Sequence, residues 1–457
     1  MAERRPLLPD SYIETLCSEH DKYNNIDVDR YVRDNYRIKR GLRNSDGSGV
    51  VAGVTNICNV HGYVINENEK VPEEGKLIYR GIDVNELVAG ARADDRFGFE
   101  ETEYLLLMGS LPTQKQLDEF RSAIDECREL PHGFIEDVLI KTPSRNIMNK
   151  LESSILNLYS YCPNPDDVSL PTLLRQSIEI IARVPTIVSY SYQSKRRHYD
   201  NQSMYLHPIP KNLSTAECLL TFLRPDMHFS AEEATLLDVC LMLHAEHGGG
   251  NNSTFACRVL SSSGTDTYSA ISAAVGALKG FKHGGANLKI VEMMEYIKSG
   301  VSDWKDDEEV LEFLKAILRR EKGDGSGLIY GMGHAVYTLS DPRAVLLKKY
   351  ASSLAEKKNM LDEFKLIEAV ERLAPEAFAD VKQNDKPICA NVDMYSGFVY
   401  TMLNLPRELF TPIFATARIA GWCAHRIEEI AVSNRIIRPA YMSVLKKAPY
   451  TPLSERV

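Results

Sequence analysis

Thr411-Pro412-Ile413-Phe414-Ala415-Thr416-Ala417-Arg418-Ile419-Ala420-Gly421-Trp422-Cys423-Ala424 is the stretch that decides the fold. A hydroxyl residue followed by proline signals a helix start, because proline at the first helical position loses no hydrogen bond. The residues that follow are apolar on every side, so this helix, running to about Glu429, belongs inside a helical core. It carries one charge in that apolar run, Arg418. A buried guanidinium must be paired, and its partner is either an internal carboxylate or an anionic substrate. Arg426, two turns later where the helix turns polar, reads as a surface or ion-pair residue.

The same signals recur outward from this segment. Ser230-Ala-Glu-Glu233 is a capping box, after which Leu237, Cys240, Leu241 and His244 share one helical face. Residues 269–281 are crowded with Ala, Gly and Ser, which lets a neighbouring helix approach closely. Residues 307–322 read as an amphipathic helix with Val310, Phe313, Leu314 and Ile317 on one face, and Asp341-Pro342 caps a helix through about Lys358. Residues 11–40 read as surface helix. Only residues 41–80 differ: Gly49-Val-Val-Ala-Gly-Val-Thr and Asn59-Val-His-Gly-Tyr-Val-Ile are rich in glycine and β-branched residues and predict a small hairpin. The expectation is a mainly α protein with a small N-terminal β hairpin.

The chain has 457 residues, more than one core usually serves, so two domains are expected. With 44% hydrophobic and 26% charged residues it is an ordinary globular composition. A net charge of −9 argues against a nucleic-acid partner; it also means that any anionic substrate must be held by local arginines against the global field. Nine widely spaced cysteines without a Cys-x-x-Cys pair fit inert thiols in a reducing cytosol better than disulfides or zinc. Met1–Asp10 has charges and two prolines, and no run approaches the roughly 20 apolar residues of a membrane span. We therefore expect a cytoplasmic protein with no membrane association.

Four segments concentrate chemistry: His244-Ala-Glu-His247-Gly-Gly-Gly, His283-Gly-Gly-Ala-Asn287, Gly331-Met-Gly-His334-Ala-Val-Tyr leading to Asp341-Pro-Arg343, and Asn391-Val-Asp393-Met-Tyr-Ser-Gly397. They hold four of eleven histidines. One histidine beside glycine at a helix end is most simply a hydrogen-bonded structural residue; three such segments together favour a cleft. Asp393 reads equally as a helix N-cap or as a carboxylate whose basicity burial raises. Arg343, in the first turn of a helix, opposes the helix dipole and suits an anion bound there. Arg438, before Pro439, looks like a surface residue. His244-x-x-His247 places two imidazoles one turn apart, but the metalloprotease spacing His-Glu-x-x-His is missing, so a metal-dependent hydrolase is a distant alternative. No Walker loop or Gly-x-Ser-x-Gly elbow is present.

In order and spacing these segments, together with Gly75-Lys-Leu-Ile-Tyr-Arg80-Gly-Ile-Asp, resemble the citrate synthase family over roughly residues 50–440. The resemblance implies an almost wholly helical, two-domain fold. Residues 1–283 plus 399–457 would form a large domain, and residues 284–398 an inserted small one. It also implies a homodimer with shared active sites that uses oxaloacetate and acetyl-CoA, the latter as cosubstrate, without a metal or resident cofactor. By that resemblance His283 binds the thioester oxygen, Asp393 removes a methyl proton and His334 polarises the ketone. His247, Arg343 and Arg418 hold the carboxylates, and Arg438 comes from the partner subunit. A 2-methylcitrate synthase acting on propionyl-CoA is the nearest alternative. A non-catalytic paralogue is disfavoured, since it has no need of His283, His334 and Asp393 together. Two departures stand out: Ala335 and Thr338 occupy positions where many bacterial relatives carry basic residues thought to meet CoA phosphates, and Leu288 replaces an acidic residue. Lys348, Lys349 and Arg43 are candidate substitutes for the phosphate contacts.

Overall fold

A computed structural model describes residues 9–23, 27–33, 38–44, 48–66, 69–383, 386–433 and 435–456. The chain divides into two units, residues 1–54 and residues 55–457. In the first, helices span Asp10–Tyr23 and Val28–Arg33. In the second, the strands are β1 (Cys58–Asn66), β2 (Glu69–Tyr79) and β3 (Ile82–Asp83). They form one antiparallel sheet in that order, with Val60 opposite Leu77 and His61 opposite Lys76. The other long elements are helices, as expected, but residues 50–55, which the sequence placed in the hairpin, form no strand: the hairpin is β1 with β2.

The Phe410–Val432 helix is buried over most of its length. It packs against helices Phe99–Met108, Leu170–Tyr199, Ala231–His244, Asn252–Ser261 and Thr267–Lys279. Thr411 is not its cap: Leu409 holds that place, and the Thr411 hydroxyl donates to the Gly284 carbonyl at 2.8 Å. Arg426 is also not at the surface. It is buried and donates to the Thr267 and Ser261 hydroxyls and the Thr265 carbonyl.

Elsewhere local signals settle the outcome. The Ser230 capping box opens Ala231–His244 with both reciprocal bonds present, and Asp341 caps Pro342–Lys357 by accepting from the Arg343 amide. The amphipathic helix ends at Leu318, before residues 319–322, with Val310, Phe313, Leu314 and Ile317 buried. The small-residue helix Thr267–Lys279 lies against Ile147–Leu158: a side chain at Gly276 would meet Glu152, and Ser272 donates to the Glu152 carbonyl. Within residues 284–398, the helices Ala286–Gly300, Asp307–Leu318, Pro342–Lys357, Leu361–Lys382 and Val392–Met402 pack chiefly on one another. No helix among the described residues is long and apolar enough to cross a membrane. All nine cysteines are free; Cys218, Cys240, Cys257, Cys389 and Cys423 are buried and Cys17 is exposed.

The hairpin backs the loop that carries His334. Side chains at Gly62 and Gly75 would collide with the backbone at Val336 and Ser340, so glycine permits the close approach. The Gly75 amide donates to the Ser340 hydroxyl at 3.1 Å, and the Tyr337 hydroxyl donates to the Lys76 carbonyl at 3.3 Å.

Candidate active site

The loop of residues 331–334 and the segment before Val392–Met402 are stitched together. The Gly333 amide donates to the Cys389 carbonyl and the Asn391 amide to the Gly331 carbonyl, both at 2.8 Å, and the Asn391 carboxamide donates to the Gly333 carbonyl at 2.9 Å. His334 follows one residue after Gly333 and Asp393 two after Asn391, so one set of bonds fixes both. Asn391, not Asp393, is the helix cap: its Oδ1 accepts from the Asp393 amide at 3.1 Å. That leaves the Asp393 carboxylate without a hydrogen-bond partner among the described residues. Burial pushes its pKa up to about 6, against the pull of Arg343.

His334 Nδ1 accepts from the amides of Val336 and Tyr337, each at 3.1 Å. Its proton therefore sits on Nε2, where a neutral imidazole can donate. The ring stacks on Tyr337 at 4.6 Å and meets His247 edge-on at 5.0 Å. His247 is 8% exposed, and its Nε2 is buried without a partner among the described residues. Burial first, then Arg343, His334 and Arg418, drive its pKa well below the ordinary value. His283 Nε2 lies 3.0 Å from the Ser253 hydroxyl, which the Asn251 side chain also engages. Burial and Arg418 lower its pKa to about 4. Both imidazoles are neutral near pH 7 and serve as hydrogen-bonding groups rather than cations.

Arg418 is 1% exposed. Its Nε donates to the His244 carbonyl at 2.6 Å and its guanidinium lies 4.7 Å from the Phe414 ring centre, while Nη1 and Nη2 are buried with no partner among the described residues. Of the two partners open from sequence, no internal carboxylate bonds to it. An unsatisfied buried donor costs about 1–3 kcal/mol, more when charged, so two on one arginine mark a place for an anion. Its field reaches His247, His283 and Asp393, each of which it perturbs. Arg343 differs. Buried, it makes a two-point pair with Asp341 through Nε (3.0 Å) and Nη2 (2.7 Å), leaving Nη1 outside the pair. Asp341, which caps the same helix and also accepts from the Val392 amide, thus offsets the misplaced charge at the helix start.

His244 is spent on structure: its Nδ1 donates to the Cys240 carbonyl at 2.7 Å, and burial lowers its pKa to about 3. Among the described residues no three His, Cys, Asp or Glu side chains are grouped to hold a metal. Arg438 is exposed in the non-helical segment after the last long helix. Lys348 is paired with Glu368 and Glu371, and Lys349 is exposed.

Two further residues had no role assigned from the sequence. The buried Tyr79 hydroxyl bonds the Met242 and Glu246 carbonyls and accepts from the Glu246 amide, fixing the turn that presents His247. Glu246 is wholly buried and paired with His425 at 3.0 Å. A carboxylate in an apolar helix end had to have a partner, but that partner is 179 residues away and no spacing could name it.

Helical packing thus gathers an elevated carboxylate, neutral imidazoles and a buried guanidinium with two nitrogens unpartnered among the described residues. Comparisons with known proteins narrow this. Residues 45–440 match the sequence family described as citrate synthase, C-terminal domain. The citrate synthase of Synechocystis is 34% identical over 93% of this chain and 95% of its own. The 2-methylcitrate synthase 1 of Corynebacterium glutamicum is 30% identical over 92% and 99%. Among solved structures, the citrate synthase of Thermoplasma acidophilum in ternary complex with carboxymethyl coenzyme A and oxaloacetate superposes with a TM-score of 0.73 at 26% identity, covering 92% of this chain and 99% of that one. The chain belongs to the citrate synthase family.

Proposed function

We propose that the protein condenses acetyl-CoA with oxaloacetate and hydrolyses the resulting thioester to citrate and CoA. The observation that carries this reading is Arg418, a buried guanidinium with two unpartnered nitrogens beside the unpartnered His247 Nε2. A keto dicarboxylate supplies the missing acceptors, with Arg343 Nη1 taking its second carboxylate. His334 Nε2–H donates to the ketone oxygen and draws charge from the carbon under attack. Asp393, with a pKa near neutrality, removes a methyl proton from the thioester. His283 donates to the thioester oxygen as negative charge moves onto it; its Nε2 meets the Ser253 hydroxyl, which donates to Asn251 Oδ1, so Nδ1 becomes the donor once that hydroxyl turns its proton from Asn251 to the ring. The enol carbon attacks the ketone, and water then cleaves the citryl thioester.

The 284–398 segment acts in this reading as the lobe that closes on the substrates, and Arg438 reaches the cleft of the partner in a homodimer. The steps use side chains alone, with no metal and no resident cofactor. A second reading has its own support, the similarity to a 2-methylcitrate synthase. One extra methylene changes pocket preference by only about 1–3 kcal/mol. Thiol release with acetyl-CoA and with propionyl-CoA, each with and without oxaloacetate, tests both. Oxaloacetate-dependent release, faster with acetyl-CoA, is the expected result. Faster turnover of propionyl-CoA selects the second reading, and no release with either overturns both.

A further inference from the structure

Glu246 and Arg418 are opposite charges in one buried region, yet they do not bond. Glu246 is the foremost group favouring the charged form of Arg418, while Glu246 Oε2, like Arg418 Nη1 and Nη2, is buried without a partner among the described residues. Nor does distance along the helix separate them. Gly421, one turn after Arg418, has no side chain because a Cβ there would collide with Glu246 Oε2 and the Ala245 carbonyl. An ion pair in this setting would fill the substrate's place.

What keeps them apart is a chain of bonds on the far side of Glu246. Its Oε1 accepts from the Gly248 amide at 2.6 Å and lies 3.0 Å from His425 Nε2. His425 Nδ1 accepts from Arg258, at 3.1 Å from Nε and 2.6 Å from Nη2. The imidazole proton is therefore on Nε2, and His425 donates to Glu246. Arg258 is in turn anchored by Glu429 at 2.7 Å and by Glu428. His425, Glu246 and Arg258 are all at most slightly exposed.

We infer that Arg258 and His425 act as a tether that holds the Glu246 carboxylate back from Arg418, so that Glu246 offsets the charge of Arg418 without consuming the donors that oxaloacetate needs. His425 is thus a positioning residue for substrate binding. The inference rests on the proposed role of Arg418 and deepens it.

Calorimetric titration of the full-length protein with oxaloacetate alone, paired with steady-state kinetics, tests the tether. Leucine at 425 releases Glu246, which then pairs with Arg418 and competes with the substrate. His425→Leu should weaken oxaloacetate binding about tenfold or more, as redirected buried charge pairs do, with kcat changed by no more than about threefold. His425→Gln keeps an N–H donor toward Glu246 and should restore affinity to within about threefold of native. Adding Glu246→Gln to His425→Leu removes the competing anion and should recover affinity, which a purely structural role of His425 would not produce. If His425→Leu does not fold, Arg258→Met removes the donor to His425 one step out and should show the same loss in affinity. Unchanged oxaloacetate affinity in the folded His425→Leu or Arg258→Met protein, or no recovery in the double variant, overturns the tether. Failure of the native protein to bind oxaloacetate would instead overturn the proposed function itself.

Discussion

Replacing Asp393 with asparagine should abolish turnover and stabilise the protein. Burial raises this carboxyl from 3.8 to about 6. The difference, about two pH steps at 1.36 kcal/mol each, is roughly 3 kcal/mol. The sign follows from linkage. Because the folded state holds this proton more tightly than the unfolded state does, stability is lost as pH rises from about 4 to about 6 and stays lost above that. At pH 7.5 the native protein thus carries a penalty of that order, which a neutral amide escapes. For 457 residues, an unfolding entropy of about 2.1 cal/mol/K per residue turns 3 kcal/mol into a gain in Tm of roughly 3 °C. Below about pH 4 both side chains are neutral and the gap should close. Calorimetric melts of Asp393→Asn and native protein at several pH values, with thiol release at neutral pH, make the test. A variant that melts lower than native at neutral pH would show that the carboxylate is a structural partner, and near-normal turnover would remove it from the role of base.

The acid limb of kcat/KM should inflect near pH 6, where Asp393 protonates, and fall about tenfold per pH step below it. His283, neutral down to about pH 4, adds no second limb in that range, and a rate that stays flat through the inflection would exclude Asp393. Arg418→Leu should raise the apparent Kd for oxaloacetate by about 2–5 kcal/mol, or at least thirtyfold, without lowering Tm, since it deletes a buried cation whose donors are unmet. Unchanged affinity would make Arg418 structural. Gly75→Ala drives a methyl group into the Ser340 carbonyl and within 2.7 Å of the Tyr337 ring, which should cost about 1–3 kcal/mol. Because Tyr337 stacks on His334, kcat should fall further than stability alone explains; a Tm loss with kcat intact would separate the hairpin from the chemistry.

Local signals carried the helices well, and they did so wherever the partner of a residue is close in sequence. Ser230 finds Glu233 three residues on, and Asp341 finds the Arg343 amide two residues on. The same reasoning misplaced Thr411 and Arg426. A threonine before proline is a good cap in isolation, but its hydroxyl is drawn to the Gly284 carbonyl 127 residues away. Arg426 looked solvated because the residues around it are polar, yet its acceptors come from positions 261–267 and close over it. The site divides the same way. Histidine beside glycine and an arginine in an apolar helix could be seen. That Asn391 would relieve Asp393 of capping, or that Asp341 would grip Arg343, depended on how one turn settles and needed coordinates.

That an acidic chain should grip a dianion, as the proposed function requires, is less of a contradiction than its charge of −9 suggests. The field of the whole protein acts through water and salt, whereas Arg418 is buried, with two nitrogens that meet no partner among the described residues. Desolvation there works on three groups at once and in useful directions. It raises the basicity of Asp393, which suits the proposed removal of a proton from carbon, and it favours the neutral forms of His247 and His283. It also leaves the arginine donors costly until an anion arrives. A more solvated site would relax all three together, returning Asp393 to a weak base and the imidazoles to partial protonation near neutral pH. The close approach of the hairpin through Gly62 and Gly75 and the burial of the Phe410–Val432 helix therefore belong to the chemistry as much as to the fold.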